Sequence, residues 1–139
     1  MTAVQKGAAN EKRTAKWLSD RGYLVHTVQR QGRSFRYDKE KKKVVPIFRK
    51  NQNNDLFNLF DHIAVINDVT KLDIIQHPII LVQTKSKKIY GKELQEFLDF
   101  PYPHCYIFVW EKKANGRYGE PIIQDITKIK IEKVNLWYQ

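Results

Sequence analysis

Apolar residues recur at helical spacing near the N-terminus, and this periodicity predicts an amphipathic helix over residues 2–21. Gly22 follows directly and is typical of a helix C-terminus. The stripe that this helix would bury consists of Ala8, Glu11, Ala15 and Leu18. One member of an otherwise apolar stripe is therefore a carboxylate, which a packed core would not select because burying it unpaired is costly.

Several later segments carry the β-branched, aromatic or continuous apolar content that strands require. These segments are residues 23–28, 59–66, 78–85 and 105–110. The segment 78–85 is apolar almost throughout, which predicts a central strand buried on both faces. A second helix is predicted over residues 87–100, where Leu94, Phe97 and Leu98 form an apolar stripe. The order helix, three strands, helix, strand predicts a single α/β domain that spans all 139 residues.

Other segments do not fit this core pattern. Residues 29–56 are basic and poorly patterned, apart from residues 44–48, which predict an edge strand or one arm of a hairpin. A stretch of this length within a compact domain is usually a functional or disordered loop. The pair Asn115-Gly116 predicts a turn. The loosely alternating residues 128–137 suggest a further edge strand.

Composition narrows the class of protein. With 139 residues, 42% of them hydrophobic, the chain is long enough to bury one real core. The single cysteine, Cys105, excludes an internal disulfide and a cysteine-based zinc site, and it favours a reducing, cytoplasmic compartment. No apolar run reaches the length of a membrane span, and the N-terminus lacks the apolar core of a signal peptide.

The charge of the chain is strongly basic and clustered. Its 25 Lys+Arg against 15 Asp+Glu give a formal net charge of +10, which favours a polyanionic partner such as DNA. Nine of the basic residues lie within residues 30–50, so this segment is predicted to contact phosphates without reading sequence. The alternative is a solvated basic loop. The candidate DNA-binding residues are Arg30, Arg33, Arg36, Lys41, Lys42, Lys43, Lys87 and Lys88.

Polar residues also interrupt the predicted strands. Asp61 lies inside the second strand, and the third ends in Gln83-Thr84-Lys85. Since alternate residues of a strand face the same side, Gln83 and Lys85 are predicted to project together, within reach of Asp61 on a neighbouring strand. Glu11 would approach from the first helix. Oxygen ligands of this kind suit Mg²⁺, which activates water against a phosphodiester, and a lysine beside them stabilises the developing charge.

Each of these residues also has a purely structural explanation. Glu11 would pair with a basic neighbour, Asp61 would cap a turn, and Lys85 would belong to a solvated basic run. The histidines show no ligand spacing and are expected to be structural. Cys105 is expected to pack in its strand as a small hydrophobic residue.

The chain resembles the PD-(D/E)XK nuclease superfamily, and most closely the archaeal-type Holliday junction resolvases. The matching pieces are Lys6-Gly7-Ala8-Ala9-Asn10-Glu11, Asp20-Arg21-Gly22-Tyr23, Phe60-Asp61-His62-Ile63-Ala64-Val65 and Leu81-Val82-Gln83-Thr84-Lys85-Ser86. The resemblance implies a restriction-endonuclease-like αβββαβ core, with a central mixed sheet flanked by helices. It also implies that Glu11, Asp61 and Gln83 hold Mg²⁺, for which Mn²⁺ can substitute, and that Lys85 is catalytic. Ser34 is the nearest candidate for a serine that related resolvases carry in a mobile loop.

The function implied by the resemblance is a metal-dependent endodeoxyribonuclease of DNA recombination and repair. It would cleave branched DNA and act as a homodimer, because a junction must be cut on two strands. The candidates for the dimer interface are the tail residues Leu136, Trp137 and Tyr138.

Two positions depart from the family pattern. Phe60 replaces a proline that has no chemical role. Gln83 stands where the family has an acid, and a glutamine carbonyl can bind a hard cation but brings no negative charge. Metal affinity should therefore fall unless Asp55, Asp68 or Asp73 compensates. The alternatives are a non-catalytic DNA-binding domain of the same fold, and a nicking or restriction-type nuclease that acts on linear duplex DNA.

Overall fold

The helices and strands follow one another in the predicted α/β order. A computed structural model describes residues 3–28, 35–46, 55–57, 59–68, 70, 72 and 75–137. The helices within these residues are α1 (Ala3–Asp20), α2 (Gly91–Asp99) and α3 (Ile126–Trp137). The strands are β1 (Tyr23–Thr27), β2 (Phe35–Asp38), β3 (Lys43–Pro46), β4 (His62–Ile66), β5 (Ile79–Lys85), β6 (Cys105–Val109) and β7 (Ile122–Asp125).

The main sheet has five strands in the order β1-β4-β5-β6-β7. Strands β5 and β6 pair in parallel, and the other neighbouring pairs are antiparallel. Helix α2 makes the crossover between the two parallel strands, as a parallel pair requires. The predicted α/β class and the mixed character of the sheet are therefore confirmed.

Strand β5 is buried on both faces, which confirms its predicted central position. Ile80 and Val82 pack with Trp17 and Leu18 of α1 in one apolar cluster. Leu81 points to the opposite face and packs in a second cluster, which also includes residues of α2, β6 and α3. Because successive side chains of a strand alternate between faces, an unbroken apolar run serves both layers at once.

The basic segment of the sequence contains a hairpin. Strands β2 and β3 form a separate two-stranded antiparallel sheet, so residues 44–46 of the predicted segment 44–48 belong to a hairpin arm. Oδ1 of Asp38 accepts hydrogen bonds from the backbone N–H groups of Glu40 (2.9 Å) and Lys41 (3.3 Å), which stabilise the turn. The parts of the segment at 29–34 and 47–54 lie outside the described residues.

The predicted edge strand in the tail is wrong, because residues 126–137 form helix α3. Ile126 is fully buried in the second apolar cluster, and Ile129 packs against that cluster one helical turn later. Oδ1 of Asp125 accepts a hydrogen bond from the N–H of Lys128 at 3.1 Å, which caps the first turn of the helix. The apolar spacing of three residues is therefore helical, and the loose alternation was misleading.

The predicted turn and helix end are confirmed. Gly116 has φ +78° in the turn between residues 112 and 118, and Gly22 has φ +88° directly after α1. Both values lie in the left-handed region that glycine adopts without steric cost. Helix α2 begins at Gly91, four residues later than expected, so Lys87 and Lys88 precede it. Within the described residues, no helix is long and apolar enough to cross a membrane.

Candidate functional site

Asp61 is built into the end of the β4–β5 ladder. It lies directly before β4 and is only 3% exposed. Its backbone N–H donates to the carbonyl oxygen of Val82 at 3.0 Å, and its Oδ2 accepts a hydrogen bond from the N–H of Thr84 at 3.0 Å. The sequence prediction that Asp61 would reach the end of β5 therefore agrees with its position.

The surroundings of Asp61 disfavour its charged form. Burial raises the pKa of Asp61 from 3.8 to about 7, although the hydrogen bond from the Thr84 N–H acts in the opposite direction. The negative charges of Asp55 and Glu11 raise this pKa further, as does a side-chain hydrogen bond between Asp55 and Asp61. A buried carboxylate among other acids is the electrostatic environment that a cation relieves.

The position of Asp55 follows from a short chain reversal. Leu56 and Phe60 form an antiparallel bridge, in which the Leu56 N–H donates to the Phe60 carbonyl at 2.8 Å and the Phe60 N–H donates to the Leu56 carbonyl at 3.0 Å. Asp55 and Asp61 are the residues that flank this bridged pair, so the bridge brings them side by side. Phe60 is fully buried, which anchors the reversal in the second apolar cluster.

The other two acids considered as substitutes for an acid at position 83 are not in this group. Asp68 lies beyond the opposite end of β4, where its Oδ1 accepts hydrogen bonds from the N–H and the hydroxyl of Thr70. Asp73 lies outside the described residues. Among these three acids, the described residues place Asp55 beside Asp61.

Gln83 is buried near the end of β5, and its carbonyl has no hydrogen-bond partner in the part of the chain that the structure describes. The antiparallel pairing of β4 with β5 ends at His62 and Val82, which are the chain neighbours of Asp61 and Gln83. Gln83 is 8% exposed, and its Oε1 is buried with no hydrogen-bond partner among the described residues. Leaving a buried carbonyl unsatisfied costs about 1–3 kcal/mol. This oxygen is therefore a candidate ligand.

Glu11 and Lys85 line one cavity of about 340 Å³ at this end of the sheet. The other lining residues are Lys6, Gly7 and Asn10 of α1, and Thr84 and Ser86 at the end of β5. The structure thus brings the helix glutamate and the strand lysine to the same space, as the sequence predicted. Two of the lining side chains, Lys6 and Lys85, carry positive charge, which suits an anionic group such as a phosphate.

The ammonium of Lys85 has a partner that the sequence did not indicate. Its Nζ lies 2.7 Å from Oε1 of Glu93 in the first turn of α2. The side chains are 31% and 51% exposed, so water screens this ion pair. The sequence offered no signal for the contact, because Glu93 falls in a helix with several other charged residues.

A buried chain of hydrogen bonds supports Thr84. Its Oγ1 lies 2.8 Å from Oγ1 of Thr14 in α1 and 3.1 Å from Nε2 of His62. Nδ1 of His62 in turn lies 2.9 Å from Oγ1 of Thr27 in β1. The chain therefore joins α1, β5, β4 and β1, and it fixes the residue whose N–H binds Asp61.

The donors along this chain can be assigned from one end. The Thr14 hydroxyl donates to the Asn10 carbonyl at 3.2 Å and accepts from Nε1 of Trp110 at 2.8 Å. The Thr84 hydroxyl must then donate to Thr14, because the single proton of Thr14 is already used. It follows that His62 donates from Nε2 to Thr84 and accepts at Nδ1 from Thr27. Burial lowers the pKa of His62 to about 4, which keeps the ring neutral.

The sequence missed this chain because its members are polar. Of the predicted buried stripe of α1, Leu18 is buried but Ala8 is exposed, and the buried face continues through Asn10 and Thr14 to Trp17. A search for apolar periodicity omits such positions. Asn10, Thr14 and Leu18 follow one another at i, i+4 spacing, which places them on one face of the helix. This spacing was the signal available in the sequence. The expectation that His62 is structural agrees with its buried, hydrogen-bonded position.

The candidate DNA-binding residues fall in three places. Lys41, Lys42 and Lys43 are exposed at the tip of the β2–β3 hairpin. Lys87 and Lys88 are exposed directly after Ser86, next to the cavity. Arg36 belongs to β2. The candidates Arg30, Arg33 and Ser34 lie outside the described residues.

Two further expectations concern the interface and the cysteine. Leu136 and Trp137 lie in the last turn of α3, and Tyr138 is outside the described residues. Cys105 is fully buried in the second apolar cluster, which confirms that it packs as a hydrophobic residue. Burial raises the pKa of its thiol to about 12, so the thiol is not a nucleophile at neutral pH.

The donor set at this edge is short of a complete metal site. Within the described residues, no group of three or more His, Cys, Asp or Glu side chains is arranged to hold a metal ion. The unpartnered Gln83 oxygen and the raised pKa of Asp61 are nevertheless what a bound cation would correct. The residues present therefore fit a hard divalent cation, with oxygen ligands from carboxylates and one amide.

Comparison with known proteins gives no family for this chain. No protein-family model matches it, and neither a curated protein nor a solved structure matches it significantly.

Proposed function

We propose that this protein is a divalent-metal-dependent endodeoxyribonuclease with a restriction-endonuclease-like core. The observation that carries the proposal is the buried Asp61 carboxylate, which accepts a hydrogen bond from the Thr84 N–H. The negative charge of Glu11 helps to raise its pKa, and Glu11, Thr84 and Lys85 line one cavity. The helix–three strands–helix–strand order of the main sheet around this site supports the proposal. A buried acid with a strongly raised pKa at a polar cavity is a functional-site candidate.

Each of the proposed site residues has a distinct role. Asp61, Glu11 and the Gln83 carbonyl would hold the cation, and Lys85 would stabilise negative charge on the phosphate. A bound Mg²⁺ or Mn²⁺ would supply Lewis-acid activation of the phosphate and a nucleophilic water. The Thr84 N–H orients the Asp61 carboxylate, and the two lysines that line the cavity would draw the phosphate toward it.

The proposed substrate is DNA, cleaved at branched structures by a homodimer. The net charge of +10 and the exposed lysines of the β2–β3 hairpin and of residues 87–88 favour a polyanion. Phosphate contacts of this kind recognise shape, not sequence. The branched substrate and the dimer follow from the resemblance to junction resolvases, in which two strands are cut together.

A second candidate function is DNA binding without cleavage. It is favoured by two observations: Gln83 brings no charge to the site, and Lys85 is paired with Glu93. A domain that had lost catalysis would keep the basic surface and the fold. Cleavage assays separate the two candidates because binding alone leaves the DNA intact.

The experiment uses a labelled four-way junction, a linear duplex and a single strand, each with Mg²⁺, Mn²⁺ or EDTA. The expected result is metal-dependent cutting of the junction that is lost in Asp61→Asn and Lys85→Met. The matched controls Asp99→Asn and Lys92→Met remove the same charges at exposed positions of α2 and should still cut. Tight junction binding without cuts in any metal would reject the nuclease and support the binding domain.

A further inference from the structure

The proposed site lacks one negative charge, and a residue outside the family motif stands where it could supply that charge. Glutamine at position 83 offers the cation an uncharged oxygen. The chain reversal closed by the Leu56–Phe60 bridge brings a carboxylate to the same edge, since Asp55 flanks the bridge opposite Asp61. Asp55 belongs to none of the segments that resemble the nuclease superfamily.

We propose that Asp55 is a metal ligand that replaces the missing acid, so that Asp55, Asp61 and the Gln83 carbonyl bind one divalent cation of the Mg²⁺ or Mn²⁺ type. This inference rests on the proposed function for the identity of the site. It adds a ligand that the sequence motifs do not contain. It also identifies Asp55 as the residue that compensates for the missing acid at position 83.

The geometry of the two carboxylates suits a hard cation. Asp55 and Asp61 flank the Leu56–Phe60 bridge as neighbours and are joined by a side-chain hydrogen bond. Neighbouring oxygens around an octahedral ion with bonds of about 2.1 Å are separated by about 3 Å. Two carboxylates close enough to share a hydrogen bond are close enough to serve as adjacent ligands of one such ion.

The buried amide of Gln83 provides an independent indication of a ligand. Its Oε1 is enclosed and has no hydrogen-bond partner among the described residues, although the residue is 8% exposed. Gln83 lies between Val82, whose carbonyl accepts from the Asp61 N–H, and Thr84, whose N–H donates to the Asp61 carboxylate. A carbonyl oxygen buried without a donor is accounted for when a cation occupies the space beside it.

The inference is tested by Mn²⁺ binding, measured by electron paramagnetic resonance of free Mn²⁺ in the absence of DNA. Asp55→Asn should weaken Mn²⁺ binding, raising the dissociation constant by about 10–100-fold. Asp68→Asn, which removes a carboxylate at the other end of β4, should leave it within about twofold of the unmodified protein, the spread expected for removal of a distant group. Equal Mn²⁺ affinity in Asp55→Asn and the unmodified protein would overturn the inference.

A charge-relocation variant separates a ligand from a structural residue. If Asp55 supplies the charge that Gln83 lacks, the double variant Asp55→Asn/Gln83→Glu should recover most of the lost Mn²⁺ affinity. A merely structural Asp55 would not be rescued in this way, so failure of the rescue also counts against the inference. Circular dichroism and thermal unfolding establish that each variant is folded.

The unmodified protein gives a second readout that needs no folded variant. Substoichiometric Mn²⁺ should broaden the backbone amide resonances of residues 55, 61 and 83 first, and those of Asp68 and Asp99 last. Broadening centred elsewhere, or no binding of Mn²⁺, would reject the site. Cleavage is scored separately: Mn²⁺ binding at Asp55 without DNA cutting refutes only the nuclease. DNA cutting with unchanged Mn²⁺ affinity in Asp55→Asn refutes only the role of Asp55.

Discussion

The backbone N–H of Thr84 donates a hydrogen bond of 3.0 Å to Oδ2 of Asp61. The carboxylate takes the place that a strand carbonyl would occupy, at the point where the β4–β5 ladder ends. The hydroxyl of the same threonine is held by Thr14 of α1 and by His62 of β4. Thr84 therefore connects the proposed catalytic acid to the most buried polar groups of the fold, and several predictions depend on this connection.

Asp61→Asn should stabilise the protein in EDTA at pH 8. The pKa of Asp61 is raised to about 7 by burial, against 3.8 for the free side chain. Between these values the folded state binds the extra proton, so stability falls as pH rises from about 4 to 7 and stays low above 7. Asparagine can still accept from the Thr84 N–H but carries no charge. Thermal unfolding at pH 5 and pH 8 measures the difference, which should be larger at pH 8.

The matched control for this measurement is Asp99→Asn, which removes a carboxylate at the exposed end of α2. Its effect on the melting temperature should not grow between pH 5 and pH 8. An Asp61→Asn protein that is less stable than the unmodified protein at pH 8 would contradict the burial of a charged Asp61.

Thr84→Val should lower the free energy of unfolding by about 1–3 kcal/mol, although the two side chains have nearly the same volume. The change removes the hydroxyl between Thr14 and His62, so the Nε2–H of His62 loses its acceptor and Thr14 loses one of its three hydrogen bonds. Urea denaturation measures the loss. Thr70→Val removes an exposed hydroxyl that binds Asp68, and it should cost far less. Equal losses in the two variants would show that the buried chain contributes little.

The His62 ring should stay neutral and carry its proton on Nε2 at pH 6. Burial lowers the pKa of His62 to about 4, and the donors along the chain leave Nδ1 as the acceptor for Thr27. The unfolded chain takes up this proton near pH 6.5, so His62 reduces stability as pH falls from about 6.5 to 4. Ring ¹⁵N chemical shifts report both the tautomer and the titration. A midpoint near pH 6.5, or a proton on Nδ1, would contradict the assignment.

Lys85→Met should reduce metal-dependent cleavage by about 10²–10³-fold while leaving the protein folded. The Lys85–Glu93 pair is partly exposed, so its loss costs at most about 1 kcal/mol. Single-turnover cleavage of a junction and thermal unfolding are measured side by side. Lys92→Met, which removes an exposed charge from α2 outside the candidate DNA-binding residues, is the control. Unchanged cleavage in Lys85→Met would show that this lysine has no role in the reaction.

Neutralising the lysines of the hairpin tip should weaken DNA binding and reduce its dependence on salt. Each phosphate contact contributes about 0.9 to the slope of log K against log salt concentration. The test variant changes Lys41, Lys42 and Lys43 to Gln, and the control changes Lys16, Lys92 and Lys128, which are exposed on helices. Binding to a junction is titrated at several salt concentrations. A slope that falls equally in both variants would argue against a role for the hairpin tip.

Much of the fold could be predicted because the spacing of apolar residues along the chain indicates which faces of a helix or strand are buried. The continuous apolar run of β5 predicted its central position, and its two faces do pack against different helices. The tail was misassigned because Ile126 and Ile129 show their helical spacing only when the cluster that receives them is known. Composition cannot reveal which buried surface a marginal segment will cover.

The sequence predicted which residues belong to the candidate site but not which atoms of these residues contact one another. Glu11, Asp61 and Lys85 stood out because each interrupts an apolar pattern, and the structure brings them to one edge of the sheet. The pairing of Lys85 with Glu93 had no sequence signal, since a surface glutamate on a helix is ordinary. The position of Asp55 had no sequence signal either, because it depends on a bridge between two apolar residues.

The sequence by itself determined the order of the helices and strands, the basic character of the chain and the residues at which polarity interrupts the core. Only the tertiary structure decided that Asp55 lies beside Asp61, that the buried Gln83 carbonyl has no partner among the described residues, and that Thr84 links the acid to His62. The physical reason is that apolar burial is nondirectional and leaves a periodic trace along the chain. Hydrogen bonds and charge contacts join specific atoms across strands, at distances that no local pattern encodes.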